Sequence, residues 1–347
     1  MSPSDLTGIR SRLLRWYRQN LRDLPWRRTS DPYAIWIAET MLQQTQVKTV
    51  LPYYRRFLKA LPTIQALDRA SLQRVLTLWS GLGYYRRAEN LKKAARKIVR
   101  EHHGRIPRER HDLLALPGVG SYTAGALLSI AFNRPFPAVD GNARRVLTRL
   151  FNVKGDKKLA PLAHELARCA SPGRLNQALM ELGATICLPR LPRCAKCPFV
   201  KFCDAYGSGQ AQIGRQAVSK QTIRKVDWPL LVIQSGSRIL LHRRASNGIL
   251  AGLWEVPGGE KKQGETAQET LVRHLDGLSN RVTSISLIGQ VGHSITNRRI
   301  RAPIFRGRLD GRTALPRSSW RWVSCSNLHR HPLSSLSRKA IKLAGEI

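Results

Sequence analysis

Apolar positions in the first part of the chain recur at the three- and four-residue spacing of helices. Residues 6–21 carry Ile9, Leu13, Leu14, Trp16 and Tyr17 among arginines, one apolar face on a basic helix. After a loop over 22–28 with Pro25 and Trp26, Asp31-Pro32 reads as a helix start, Asp as the cap and Pro at the first helical position. The run that follows, YAIWIAETMLQ, is apolar nearly all round and is expected at the centre of its domain, with Glu39 interrupting it. MLQQTQV (41–47) comes next, then a helix through Tyr53, Tyr54, Phe57 and Leu58 and short helical pieces over 63–78. Gly81-Leu82-Gly83-Tyr84-Tyr85 turns tightly into a long basic helix over 86–102, and further helices are expected near 142–151, 160–169 and 173–186.

The stretch 116–140 organises this half. Leu116-Pro117-Gly118-Val119-Gly120 separates the helical run through Leu113 and Leu114 from an apolar run over 123–131. Proline cannot sit inside a helix and two glycines allow a tight turn, so the pattern reads as helix, hairpin, helix. Unpaired N–H groups at the start of the second helix, with the positive end of its dipole, make a phosphate site. From Asp227 the pattern changes. Leu230–Ile233 and Arg238–Leu241 are strand-like runs joined by Gly236, one helix is expected over 265–276, and strands near 281–291, 300–307 and 320–324.

Composition adds a partner. Lys and Arg number 59 against 22 Asp and Glu, a formal charge of +37, and the excess is present in both halves. One-sided charge of this size implies a polyanion. No run of 18 apolar residues and no signal-peptide core occur, so a cytosolic, nucleoid-associated chain without membrane contact is expected.

Cysteines are scarce in disulfides there, and four of the six have the spacing C-x6-C-x2-C-x5-C: Cys187, Cys194, Cys197 and Cys203. Pro189, Pro192 and Pro198 keep the intervening loops non-helical. Four-thiolate ligation suits zinc or an iron–sulfur cluster, and the spacing does not choose between them. Acids are few, which makes two of them informative. Glu39 lies among Ile35, Trp36, Ile37 and Leu42, where burial would raise its pKa and keep a proton on it. Asp140 precedes GNARRVL, where a capping carboxylate accepts backbone N–H bonds and stays ionised. Two carboxyls pushed apart in this way are the arrangement that cleaves glycosidic bonds.

Taken together, AETMLQQTQV (38–47), SGLGYYRRAENL (80–91), LPGVGSYTAGAL (116–127), AVDGNARRVL (138–147) and the cysteine spacing resemble the helix–hairpin–helix DNA glycosylase superfamily with an iron–sulfur loop. Within it they resemble the branch that removes adenine mispaired with 8-oxoguanine. The resemblance covers nearly the whole chain. It implies a [4Fe-4S] cluster on Cys187, Cys194, Cys197 and Cys203, with Glu39 protonating the leaving adenine and Asp140 stabilising the cationic sugar. Tyr122 is implied beside the cleaved nucleotide and Asn142 in orienting the site. Gln44 and Tyr84 are implied at the lesion pair, Leu42 and Gln43 nearby, Arg27 in the adenine pocket, and Gly118, Val119 and Gly120 in the DNA grip. The endonuclease III branch carries, at the place of Tyr122, a lysine that forms a Schiff base. Tyrosine forms no imine, so water is the expected nucleophile, with base removal and no strand cleavage.

The last third resembles the Nudix-like domain of the same enzymes. Trp254–Glu260 echoes a Nudix opening and Gly259, Glu265 and Arg273 keep its register, but the carboxylates that should follow are replaced by His274, Asp276, Gly277 and Leu278. Magnesium-dependent pyrophosphate hydrolysis is not expected without them. In the recognition loop, Ile295-Thr296-Asn297 stands where the resemblance leads one to expect Phe-Ser-His, leaving the Thr296 hydroxyl in place of the serine's. The expected fold is thus a mainly α helix–hairpin–helix glycosylase domain over 1–206, with its [4Fe-4S] loop at 187–203. A linker over 207–225 and an α+β Nudix-like 8-oxoguanine-recognition domain over 226–347 follow. The expected partner is double-stranded DNA with A:8-oxoG or A:G mispairs, and the expected state a monomer. A thymine mismatch glycosylase and a catalytically silent iron–sulfur damage sensor are the alternatives on sequence.

Overall fold

A computed structural model describes residues 3–212, 222–245, 248–275, 277–295, 297–310, 315 and 319–345. In chain order the helices are α1 (Pro3–Asn20), α2 (Pro32–Leu42), α3 (Val47–Ala60), α4 (Ile64–Arg69), α5 (Leu72–Trp79), α6 (Arg86–Glu101), α7 (Arg110–Leu114) and α8 (Ser121–Ala126). They continue with α9 (Gly141–Leu150), α10 (Asp156–Ala167), α11 (Pro172–Thr185) and α12 (Asp204–Gly207). Then come β1 (Arg224–Asp227), β2 (Leu230–Ser235), β3 (Arg238–Arg243), β4 (Trp254–Glu255), α13 (Ala267–His274), β5 (Val282–Ile295), β6 (Arg298–Leu309), β7 (Trp320–Ser324) and α14 (Ser335–Leu343). By contacts the chain forms two units, Met1–Arg69 with Asn90–Val218, and Ala70–Glu89 with Ser219–Ile347.

The first unit is helical, as its periodicity predicts. Asp31 caps α2, accepting from the N–H groups of Tyr33 (3.0 Å) and Ala34 (3.2 Å), and Tyr33 through Met41 are all buried. An all-round apolar helix has no face to give to water, so α2 takes the centre. A second core joins α1 (Leu13, Trp16, Tyr17), α9 (Val146, Leu147, Leu150) and α11 (Leu175, Leu179, Leu182). The apolar run 123–131 starts as α8 and widens into a π-type turn over Leu127–Ala131. Among the described residues no helix is long and apolar enough to cross a membrane.

The second unit is built on a mixed sheet. β6 runs parallel to β1 and β2 and antiparallel to β5, while β3 pairs antiparallel with β2, β4 and β7. Leu231, Ile233 and Leu240 face α13, and Val232, Ile239 and Leu241 belong to the core that α14 closes with Leu336, Ala340 and Ile341. Burial on both faces explains why β2 and β3 read as continuous rather than alternating apolar runs. Helix α14, capped by Ser334, is an addition to the one helix expected in this half. The stretch expected as a linker ends in strand β1: Arg224 and Lys225 pair with Arg298 and Arg299, and Glu260 meets Arg224 (2.6 Å) and Arg298 (3.5 Å). Residues 70–89, inside the expected first domain, group with this unit. Ser80 Oγ donates to Leu333 O (2.8 Å) and Gln73 Nε2 to Gly252 O (3.2 Å).

Gly125 marks where α8 is pressed against the chain before Asp140, since a Cβ there would overlap the Pro137 carbonyl. Gly125→Ala is expected to lower stability by about 1–3 kcal/mol, read as a lower urea midpoint with an unchanged slope.

Candidate active site

Helix α2, the hairpin before α8, the start of α9 and the middle of α11 enclose a cavity of about 1050 Å3. Glu39 enters it from the last turn of α2, 5% exposed, and the Tyr122 hydroxyl of α8 donates to Glu39 Oε2. Burial pushes the Glu39 carboxyl up to about 7; the Tyr122 bond opposes this, the charge of Asp140 adds to it and Arg27 opposes it. Burial and the two carboxylates hold Tyr122 well above the usual phenol range, so its hydroxyl keeps its proton and donates.

Asp140 lies on the same cavity at the head of α9, which it caps. Its Oδ1 accepts from Ala143 N (2.7 Å) and its Oδ2 from Asn142 Nδ2 (2.9 Å). Asn142 is held in turn: its Oδ1 accepts from Arg145 Nη2 (2.8 Å), and Arg145 also donates to Gly183 O and Cys187 O, both at 2.7 Å. One cavity therefore contains a buried carboxyl with a raised pKa and a second carboxyl held at a helix start, two acids in different surroundings.

The hairpin follows its glycines. Gly118 has φ +78°, and a Cβ there would sit 2.8 Å from Asn90 Cβ. Val119 is buried and its N–H bonds Leu116 O (3.1 Å), while extended Gly120 precedes α8 and accepts from Ala124 N (2.9 Å). Arg27, Leu42, Gln43, Gln44 and Gly120 line the cavity with the two acids, Tyr122 and Asn142. Gln43 Nε2 donates to Thr123 Oγ1 (3.3 Å), and Gln44 adopts the left-handed φ of +56°, an uncommon state for a residue with a side chain. Tyr84 belongs to the second unit, 46% exposed at the Gly81–Gly83 turn with φ +50°, and the Arg87 guanidinium stands 5.3 Å from its ring. Thr296 lies outside the described residues.

Cys187, Cys194, Cys197 and Cys203 line a smaller cavity of about 30 Å3 walled by Val146, Leu150, Leu182 and Phe199. Burial pushes the Cys197 thiol up to about 11 and raises Cys194 and Cys203. Buried Arg149 donates to Cys187 Sγ (3.3 Å), Leu188 O (2.7 Å) and Pro189 O (3.0 Å), and its buried Nε–H has no partner among the described residues. A cationic side chain with a spare donor beside four thiols suits an anionic sulfur-rich group. Among the described residues no three His, Cys, Asp or Glu side chains converge as ligands of a single metal ion would, whereas the four thiols surround a space.

Sequence reasoning missed three participants: Glu181, Arg145 and Arg149. Glu181 carries the same signal as Glu39, a lone acid in an apolar helix. The two arginines were hidden among many, because only their partners in space distinguish them.

The chain is 34% identical to the human protein named adenine DNA glycosylase, over 98% of this chain and 74% of the relative. It is 35% identical to the rat protein of that name, over 99% and 79%. The chain belongs to the adenine DNA glycosylase family. Residues 37–171 match the HhH-GPD superfamily of base excision DNA repair proteins and residues 229–343 match the NUDIX domain. A solved structure of a thermostable thymine-DNA glycosylase is 33% identical, covering 59% of this chain and 98% of that one with a TM-score of 0.56. In the NUDIX match, Glu265 is held at about 2 by Arg273, which grips both carboxylate oxygens (2.8 and 2.7 Å), and buried Glu255 pairs with Arg244 (2.6 Å). Both acids are thus tied in internal ion pairs with arginines.

Gly183 of α11 touches the site's frame, for a Cβ there would lie 2.7 Å from both Asn142 Cβ and Asn142 O. Gly183→Ala is expected to shift Asn142 away from Asp140 and slow base removal about a hundredfold. Single-turnover rates, with circular dichroism confirming the helices, check this.

Proposed function

We propose that the chain hydrolyses the N-glycosidic bond of adenine opposite 8-oxoguanine or guanine in duplex DNA and leaves the strand intact. The observation that carries this is the shared cavity of Glu39 and Asp140, one carboxyl buried and raised to about 7, the other capping a helix. A base cannot be attacked inside the stack, so the adenine is extruded at a cost of a few kcal/mol. The hairpin Gly118–Gly120 and the basic surface hold the backbone, with Gln44 and Tyr84 at the lesion pair and Arg27 beside the extruded base. Glu39 gives its proton to the purine, which makes a neutral leaving group. Positive charge then grows on the sugar, and the Asp140 carboxylate, already oriented by Ala143 N–H and Asn142, stabilises it without reorganising. Water completes the hydrolysis. Tyr122 offers no amine for a Schiff base, which supports a glycosylase without lyase action.

Cys187, Cys194, Cys197 and Cys203 would hold a [4Fe-4S] cluster. Its contribution in this place is structural, pinning the basic loop 187–203 against α9. Residues 1–206 would then act as the glycosylase domain and 226–347 as the reader of the 8-oxoguanine strand, with 207–225 joining them.

Duplexes with A:8-oxoG, A:G and T:G, assayed with and without alkali, test the reading. Free adenine from the first two, with breaks appearing only after alkali, is expected; thymine release, or breaks without alkali, would sink it. Glu39→Gln is expected to slow release by about a hundredfold or more. Because Glu39 acts protonated, the wild-type rate should be flat below its pKa of about 7 and fall as pH rises through it. The purified protein should be straw-brown with broad visible absorbance and contain iron; a colourless, zinc-loaded preparation defeats the cluster.

A further inference from the structure

Three carboxyl groups line the cavity, and the chemistry above uses two of them. The third, Glu181 on α11, is 0% exposed. Its Oε1 accepts from the Arg22 main-chain N (3.2 Å) and Arg22 Nε (2.7 Å). Its Oε2 accepts from Arg22 Nη2 (2.8 Å) and Arg27 Nη2 (2.6 Å). Although burial raises the Glu181 pKa, the bonds from Arg22 and Arg27 outweigh it and hold the group below the usual carboxylate range. A carboxylate so saturated neither gives nor takes a proton, so its work is mechanical.

What it holds is Arg27, whose side chain is 8% exposed. Arg27 Nη1 also donates to Arg22 O (3.1 Å), and its guanidinium lies 5.5 Å from the Tyr17 ring. The charged and titratable groups acting on Glu39 are Tyr122 of α8, Asp140 at the head of α9 and Arg27 from the turn Pro25–Arg27. Those around Glu181 are Arg22 and Arg27, with Tyr17 of α1 alongside and Arg174 of α11 acting on Tyr17.

We propose that Glu181 is a positioning residue for base removal, anchoring the Arg27 guanidinium on the wall of the cavity that Glu39 and Asp140 share. The inference rests on the glycosylase reading above and deepens it. Among the described residues Arg27 is the cation that acts on Glu39, and its direction is set from the far side by Glu181. A buried guanidinium without its counter-charge turns toward water, and this cavity is large enough to supply it. Glu181 therefore decides whether Arg27 faces the base and the acid or leaves them.

The test is a cycle of full-length variants: Glu181→Gln, Arg27→Met, the pair combined, and Glu181→Asp. Adenine release from an A:8-oxoG duplex is followed in single turnover across pH, beside duplex affinity and melting. The low-pH plateau of Glu181→Gln should fall about ten- to hundredfold with duplex affinity unchanged. Its alkaline limb should move to higher pH, as in Arg27→Met, because the cation that favours ionised Glu39 has gone in both. The combined variant should be no slower than Arg27→Met, and Glu181→Asp should recover part of the rate. Should Glu181→Gln fail to fold, Glu181→Asp takes its place in the cycle, and its effect should vanish in the Arg27→Met background. Losses that multiply in the combined variant overturn the proposal. So does an alkaline limb that moves to lower pH in Glu181→Gln, since Arg27 would then have stayed in place. So does a lower melting temperature with a wild-type rate. Glu39→Gln separates the two levels: adenine release at the wild-type rate by that variant removes Glu39 from the chemistry and with it the reading of the site on which the proposal rests, whereas a Glu39→Gln slowed about a hundredfold beside a multiplicative cycle removes only the role of Glu181.

Discussion

The burial of one carboxyl beside another governs the site. Glu39 sits in the wall of the most apolar helix of its unit, where an isolated charge is too costly to keep, and it responds by holding its proton to about 7. Asp140 has a different neighbour, the first turn of α9, whose unpaired N–H groups need an acceptor. Two carboxyl groups thus line one cavity in different surroundings, one buried with a raised pKa and the other capping a helix. Tyr122 completes the pair by giving Glu39 a hydrogen bond from a hydroxyl that does not ionise.

Helix α9 carries this local chemistry into the rest of the helical unit. Asp140, Asn142, Arg145 and Arg149 follow one another along its first three turns. Asn142 fixes the cap, Arg145 reaches Asn142 and the Cys187 carbonyl, and Arg149 reaches the Cys187 thiol and the carbonyls of Leu188 and Pro189. The cysteine loop and the acid site are therefore held by one rigid rod, and the loop's position is felt at Asp140 through charge-assisted bonds rather than through a flexible chain. The close approach of α11 to α9 at Gly183 leaves no slack in that frame.

In the second unit arginines have the same grip on carboxylates, toward a different end. Glu255, Glu260 and Glu265 each pair with an arginine, so these acids of the NUDIX match are internal ties. Its sheet keeps both faces covered, by α13 on one side and α14 on the other, and this double burial accounts for the hydropathy of its central strands.

Much of this was legible in the sequence because it depends on neighbours along the chain. An Asp-Pro start, an all-apolar helix with one acid, a proline and two glycines between helical runs, and an Asp before GNARRVL each specify local structure by propensity, capping and sterics. The structure has α2, the hairpin and the α9 cap where those rules put them. The cysteine spacing likewise sets four thiols close along the chain, and they line one small cavity. What only the tertiary structure decided is which far-apart groups meet. That Glu39 and Asp140 share a cavity, that Glu181 takes both Arg22 and Arg27, that Arg145 joins Asn142 to Cys187, and that residues 70–89 group with the strands all depend on contacts between residues remote along the chain. Among 59 basic side chains no local rule singles out the few that matter, because an arginine's role is set by the carboxylate or carbonyl that folding brings to it.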